Sequence, residues 1–372
     1  VVETWNSPEK YDNAVRTGSR AILTSMTGPP HRVRPTMSDV AAEAGVSLKT
    51  VSRVVNGVGY VSTETLASVQ SAIDALGFRR NEFARQLRQG TAATIGLVLE
   101  DVADPFYSVL SRAVEDVALD QGYLLLSASS AEDPERSRRI VESFSSRGAD
   151  GLILAPARGT DPRFLQAEIE AGCSMVFVDR PVPGIVADTV LADNLGGAAE
   201  GTAHLIRHGH RRIAFFGDAE LVYTATERLE GYRAALGAAG IPDDDSLVAM
   251  IAPSSEAATE SIDRVLDLAD PPTAIVAGNN RWSVRLLRHL KRRGERPLPA
   301  FLGFDDFELS DVLDPGITVV AQDPATMGQL AAELLLRRVA GDDRPRQHIK
   351  LETRLIERGS GELPGPFPPA RR

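Results

Sequence analysis

The chain has 372 residues, 43% of them hydrophobic and 25% charged, which excludes a fibrous or largely disordered protein and leaves room for two or three domains at roughly 100–200 residues each. No apolar run approaches the ~18 residues of a membrane span, no leader joins a basic start to an apolar core and a small-residue cleavage site, and the lone Cys173 can build neither an internal disulfide nor a cysteine metal cluster. The net charge of −10 argues against nucleic acid only until it is divided, because residues 1–90 hold 11 basic and 8 acidic residues; a basic front on an acidic body suits a DNA-binding module joined to something else. No membrane partner is expected, and the cysteine usage points to a reducing cytosol.

Residues 1–35 lack periodicity and end in Gly28-Pro29-Pro30 and Pro35, so they are expected to be disordered. A start at Met26 would leave a short tail before the first helix signal, and residues 1–25 are expected to be an upstream extension. Residues 36–80 predict three short helices. Thr36 and Asp39 form a capping-box-like start, with Val40, Ala41 and Ala44 on one face and Gly45 ending the helix. Ser47 can cap the second, with Val51, Val54 and Val55 inward. Ser62 can cap the third, where Leu66, Val69, Ile73 and Leu76 recur at helical spacing. A fourth, polar and basic stretch covers residues 81–88 and ends at Gly90.

Strand-length apolar runs then alternate with amphipathic helical stretches. The strands are expected at 94–99, 123–127, 151–155, 175–179, 212–217, 274–277, 300–304 and 318–322, with helices such as 106–121, 134–146, 195–208 and 281–293 between them. This alternation implies right-handed crossovers and parallel sheets covered on both faces. Some 265 residues exceed one doubly wound unit, so residues 92–358 are expected to form two subdomains. Residues 359–372 are rich in Pro and Gly and are expected to be a flexible tail.

The segment from Thr36 to Asn56 has the build of a helix-turn-helix. Ala41 is small where two helices cross, Gly45 permits the turn, and Val46 and Val51 fill the shared core. Leu48, Lys49, Ser52, Arg53 and Asn56 then face outward on a helix that fits the major groove of B-DNA. By pattern alone, a helical hairpin with solvated polar residues fits as well.

Asp39-Val40-Ala41, Ala44-Gly45-Val46-Ser47, Thr50-Val51-Ser52-Arg53-Val54-Val55-Asn56-Gly57 and Tyr60-Val61-Ser62 resemble the amino-terminal signature of the lac repressor (LacI/GalR) family of transcription regulators. The likeness continues through Ala72-Ile73, Leu76-Gly77-Phe78, Asn81, Ala84-Arg85, Leu87 and Thr94-Ile95-Gly96-Leu97-Val98. The body adds Asp104-Pro105-Phe106-Tyr107, Gly151-Leu152-Ile153-Leu154, Gly209-His210-Arg211-Arg212-Ile213, Arg228-Leu229, Gly231-Tyr232 and Gly303-Phe304-Asp305-Asp306.

The resemblance implies a small all-α helix-turn-helix headpiece joined to an α/β effector domain of two doubly wound, periplasmic-binding-protein-like subdomains. It implies a homodimer on palindromic double-stranded operator DNA, controlled by a small effector, with a sugar or sugar-like metabolite as the modal ligand. Leu48, Lys49 and Arg53 match the base-reading positions. Thr36, Ser47, Thr50, Ser52, Asn56 and Ser62 are expected to bind phosphate or cap helices. Residues 81–91 match the hinge, with Asn81 at its start, Ala84 at a groove-contact position and Leu87 as the wedge at the central base step. Arg80 stands where the family usually has Pro, which frees the backbone there.

Ligands of open α/β sheets bind beyond the carboxyl ends of the strands. Effector contacts are therefore expected from Asp101, Phe106 and Tyr107 after the first strand, Ser129 after the second and Arg180 after the fourth. Asp193 after a further short strand, and Arg228, Asn279 and Asp305 from the second half, complete the set. Asn279-Asn280 replaces the family's usual Asn-Asp, and Pro253-Ser254-Ser255 lacks an aromatic that some relatives carry, so Trp282 is the candidate to compensate. The rivals are a solute-binding protein of a transport system and an enzyme. No Gly-x-Ser-x-Gly elbow, phosphate loop or Gly-x-Gly-x-x-Gly after a strand supports the latter. His204, His208 and His210 have metal-like spacing but sit in family sequence, so neither metal nor cofactor is expected.

Overall fold

The computed structural model describes residues 35–78, 93–294 and 298–368. The expected amino-terminal extension and the hinge positions Asn81, Ala84 and Leu87 lie outside the described residues. The chain divides into two compact units, which are taken one at a time.

The first unit holds α1 (Met37–Glu43), α2 (Leu48–Asn56) and α3 (Thr63–Leu76). Each begins where the sequence places a cap. Thr36 and Asp39 close a reciprocal capping box, and Ser47 and Ser62 accept the Thr50 and Thr65 amides at 3.2 and 3.3 Å. Gly45 turns the chain at φ 66°, a conformation open to glycine at little cost. Val40, Val51 and Val69 are wholly buried, with Ala41, Ala72 and Phe78 around them. Each such valine stabilises the unit by about 1.5–3 kcal/mol relative to exposure. Leu66, expected inside, is 47% exposed; it sits on the first turn of α3, before the helix meets the core.

The second unit is two lobes, each built on a six-stranded sheet. The first lobe holds β1 (Thr94–Leu99), β2 (Leu124–Ser129), β3 (Gly151–Leu154), β4 (Ser174–Val178), β5 (Asp188–Ala192) and β11 (His348–Leu351). They pair in the order β11-β5-β4-β3-β1-β2, all parallel. The second holds β6 (Ile213–Gly217), β7 (Val248–Met250), β8 (Ala274–Ala277), β9 (Ala300–Phe304), β10 (Thr318–Ala321) and β12 (Arg354–Ile356), in the order β12-β10-β9-β8-β6-β7. There only β12 runs antiparallel, against β10. Burial on both faces explains why β3, β6, β8 and β9 are wholly apolar or glycine.

Helices α4 (Pro105–Asp120), α5 (Pro134–Ser146), α6 (Pro162–Glu170) and α11 (Pro324–Val339) cover the first sheet. Each opens on Asp-Pro: Asp104, Asp133, Asp161 and Asp323 accept amides of the first turn, and the proline sits where no amide is needed. Helices α7 (Asn194–Arg207), α8 (Tyr223–Ala238), α9 (Ala257–Leu266) and α10 (Asn280–Arg293) belong to the second lobe. Gly231 lets α8 lie against α7; a Cβ there would stand 2.2 Å from the Leu195 carbonyl. Among the described residues no helix is long and apolar enough to cross a membrane.

The chain crosses between lobes after β5, returns after β10 into α11, and crosses again between β11 and β12. Strands β7, β11 and β12 add to those expected from the sequence. Their three or four residues, partly exposed, are too few to show a period. The carboxyl tail is a correction. Residues 359–368 dock on the second lobe rather than hang free: Ser360 is 2% exposed, accepts the Thr318 amide at 2.8 Å and donates to the Phe301 carbonyl at 2.6 Å. Proline and glycine deplete regular structure, yet the segment still satisfies its polar groups against a neighbouring strand.

Candidate functional site

The outer face of α2 presents Leu48, 51% exposed, with Lys49 and Arg53. Neither cation is held in an ion pair among the described residues, so both are available to a partner. Ser52 and Asn56 lie together, the Asn56 amide donating to the Ser52 carbonyl at 2.6 Å. Ser47 and Thr50 share a hydroxyl hydrogen bond of 2.9 Å. Thr36, Ser47 and Ser62 all serve as helix caps, the local half of what was expected of them. Two further apolar side chains follow α2 into solvent, Val58 and the 93% exposed Tyr60.

The second candidate site is the cleft between the two lobes, where the carboxyl ends of both sheets meet. Its inner cavity is lined by Phe106, Tyr107, Arg180, Arg228, Asn279 and Asp305 among others. Arg228 is pinned: Nε donates to Asn194 at 2.8 Å, Nη1 donates to the Gly278 carbonyl at 2.7 Å, and the guanidinium lies 3.8 Å over the Phe304 ring. It also pairs with Asp305 at 3.4 Å, whose other oxygen accepts from Gln322 at 2.6 Å. Burial pushes the Asp305 carboxyl above the usual carboxylate range, against the pull of Arg228 and Gln322.

Arg180 is buried among three carboxylates. It donates to Glu100 at 2.9 Å, to Asp179 at 3.2 Å and to Glu132. The Tyr107 hydroxyl donates to Asp179 at 2.9 Å, so Tyr107 positions the acid that holds Arg180. Phe106 meets Tyr107 edge to face, with ring centroids 5.0 Å apart, and offers a face for a sugar ring. Asn279 caps α10 by accepting the Trp282 amide at 2.8 Å while lining the cavity. Asp101 and Ser129 lie further out, on an adjoining cavity; the Ser129 hydroxyl accepts the Val102 amide at 3.1 Å.

Two expectations do not reach the cleft. Asp193 caps α7, accepting Gly196 at 3.2 Å, and meets Lys350 at 3.1 Å; it lines neither cavity. Trp282 is wholly buried, donates to the Gly217 carbonyl at 2.9 Å and packs on Phe216, so it fills core rather than stacking on a ligand. The histidines have ordinary work: His204 pairs with Glu362 at 2.5 Å, His208 contacts the His204 carbonyl, and His210 bridges Thr273 and the Leu363 carbonyl.

Residues missed from sequence are Glu100, Asp104, Asp179, Asp218, Arg281 and Gln322, all of which line the inner cavity. Glu100, Asp179, Asp218 and Gln322 each come immediately after a strand, β1, β4, β6 and β10, so the strand-end rule already pointed to them. Asp104 was masked by its capping role, and Arg281 by its place on a helix.

Comparison with known proteins follows the same division. The family described as "Bacterial regulatory proteins, lacI family" matches residues 36–81, and "Periplasmic binding protein-like domain" matches 202–361. The HTH-type transcriptional regulator CelR of Thermobifida fusca is 34% identical over 89% of this chain and 99% of its own. The HTH-type transcriptional regulator GalR of Escherichia coli is 32% identical over 88% and 96%. Among solved structures, a transcriptional regulator CelR–cellobiose complex superposes with a TM-score of 0.65 at 33% identity, covering 88% of this chain and all of the other. The lac repressor dimer bound to operator and the anti-inducer ONPF shares the fold, with a TM-score of 0.77 at 24% identity over 88% and 99%. With about a third of its residues shared over nearly its full length, and with both parts of the architecture in the same order, the chain belongs to the lacI family of bacterial regulatory proteins.

Proposed function

We propose that the chain is a sequence-specific transcriptional regulator, a repressor in its simplest mode, that binds palindromic operator DNA as a homodimer in the cytoplasm. Its grip on DNA responds to a sugar or sugar-like effector bound between the lobes. The observation that carries this reading is the pairing of an exposed Leu48-Lys49-Arg53 face on a helix-turn-helix with a polar cleft between two lobes. Lys49 and Arg53 can read guanine edges, while Leu48 offers only apolar contact, as to a thymine methyl. Relatives support the rest: the CelR complex holds cellobiose, and the lac repressor structure is a dimer on its operator.

In the cleft, Asp305, Asn279, Arg228 and Gln322 offer acceptors and donors to hydroxyl groups and Phe106 offers a ring face. The ligand acts through its differential affinity for two lobe arrangements. Those arrangements set the spacing of two hinge segments, in which Asn81, Ala84 and Leu87 reach the minor groove. An exposed apolar strip on α4 and the edge strand β2, with Val109, Leu119, Leu124 and Leu126 between 40% and 58% exposed, suits the dimer contact. A transport protein has no use for the headpiece, and among the described residues lining the cleft none is arranged as a nucleophile with its base. Selection from random double-stranded DNA tests the reading: two-fold symmetric sites are expected to enrich, and no enrichment of a palindrome overturns it.

A further inference from the structure

The charges lining the inner cavity do not cancel. Glu100, Asp104, Asp179, Asp218 and Asp305 face it with Arg180, Arg228 and Arg281, an excess of two carboxylates at neutral pH. The adjoining outer cavity adds Asp101 and Glu132 against Arg136 and Arg158 and leaves the excess unchanged. The three guanidiniums are already committed: Arg180 to Glu100, Asp179 and Glu132, Arg281 to Glu100 and Asp104, Arg228 to Asp305.

Asp218 is left over. It lines both cavities. One oxygen accepts the amide of Ala219 at 2.8 Å, and among the described residues no cation stands within ion-pairing distance of it. Burial pushes its carboxyl above the usual range, as it does for Glu100 and Asp305. A second observation agrees. Gln322 donates its amide to Asp305, which turns Oε1 into a buried acceptor without a partner. Asp218 thus asks for a ligand group that carries positive charge, and Gln322, three strands away at the end of β10, for a group that donates. An ammonium has three donors and no acceptor. The buried Arg281 Nη2, which makes no hydrogen bond and lies 3.7 Å from Asp101, is a donor that remains for a ligand hydroxyl.

We propose that the effector is an amino sugar, a polyhydroxylated ring bearing a protonated amine, with the ammonium set against the Asp218 carboxylate. This rests on the cleft being a sugar site. The amine and the excess carboxylates attract in a cavity where water screens poorly, so the gain over a neutral sugar is large. The same charge excludes uronic acids and sugar phosphates.

Calorimetric titration of the full chain against three matched series tests it: glucose, galactose and mannose, each as parent sugar, free 2-amine and N-acetylated amine. In the series that binds, the free amine is expected to bind at least about tenfold more tightly than both neutral forms. Asp218→Asn is expected to cut that preference below about threefold, and an unchanged thermal melt of the variant certifies the fold. Equal or weaker binding of the amine, or a preference that survives in Asp218→Asn, overturns the amine while leaving the sugar reading intact. If no member of any series binds, this proposal is overturned, and disaccharides then test the sugar reading.

Discussion

Arg281 of the second lobe donates Nε to the Asp104 carboxylate of the first lobe at 2.9 Å, and Asn280 beside it donates to the other oxygen at 3.0 Å. Arg281 also reaches Glu100, which holds Arg180. Two neighbouring residues on α10 thus tie the lobes together. Asp104 serves twice, since it also caps α4 through the Phe106 amide at 2.9 Å. An effector entering the cleft must displace this tie or build on it.

Arg281→Ala is expected to loosen the closure. Arg281 is one-third exposed while Asp104 is 8% exposed, so the loss falls between the surface and buried limits, about 1–2 kcal/mol. Small-angle scattering on the unliganded chain should show a larger radius of gyration than wild type. An unchanged radius with unchanged urea stability would mean that the tie carries no closure.

Lys49→Ala and Arg53→Ala are expected to cost about 1–3 kcal/mol each in operator binding and to relax preference at separate base pairs. Both side chains are exposed and outside the headpiece core, so the thermal melt of the variants should match wild type. Gel-shift titrations against operators changed one base pair at a time make the comparison. A uniform loss across all sequences would assign these residues to phosphate instead.

Much of this was legible in advance, and the exceptions share a cause. Ser47, Gly45 and the valines of α2 declare a helix-turn-helix because caps, turn and core face are all local. The strand runs at 94–99, 274–277 and 300–304 are read to the residue, since burial on both faces makes them continuously apolar. Asp193 was misplaced because the strand-end rule gives position along the chain and not side-chain direction, and Trp282 because an aromatic offered as a substitute carries no information on which way its ring faces. Arg281 and Asp104 act through partners more than 60 residues away and Asp218 through lacking a cationic partner among the described residues, and no spacing reports that.

Leu87→Ala is expected to weaken operator binding at least tenfold, because a shortened side chain cannot hold the central base step open. The effector unit should keep its ligand affinity and its melt. Unchanged affinity in a gel-shift titration would remove Leu87 from the wedge position.

Asp188 and Arg338 form a buried pair, bonded twice at 2.6 and 2.9 Å, with the Gln347 amide donating to the same carboxylate at 2.7 Å. The pair fastens α11 to β5 just before β11 begins. Burial pushes Asp188 up, but Arg338, Gln347 and Arg346 outweigh it and hold the carboxyl below the usual range. The folded value lies below the unfolded one of about 3.9. The contribution is therefore complete above that value and is lost as pH falls through the folded one. Asp188→Asn is expected to cost about 1–3 kcal/mol near neutral pH, since it removes the charge facing Arg338 and leaves its guanidinium the Asp342, Arg344 and Pro345 carbonyls. In urea titrations the gap from wild type should hold from pH 6 to 8 and narrow below about pH 4. A gap that stays constant into acid would assign the loss to packing.

Ser360 lies in the segment whose composition promised a loose tail, yet its hydroxyl accepts from the Thr318 amide and donates to the Phe301 carbonyl. Its backbone also joins in, the Phe301 amide donating to the Ser360 carbonyl at 2.9 Å. The two strands it bridges, β9 and β10, end at Phe304 and Ala321, next to Asp305 and Gln322 of the cleft. Ser360→Ala leaves a buried amide and a buried carbonyl short of a partner, at about 1–3 kcal/mol for each group left unsatisfied. Because both strand ends feed the cleft, the variant is expected to lose effector affinity as well as stability. Ser360→Thr keeps the hydroxyl and should recover part of both, unless the added methyl clashes in this buried site. A loss of stability with ligand affinity fully retained would show that the docked tail only supports the lobe and does not set the positions of Asp305 and Gln322.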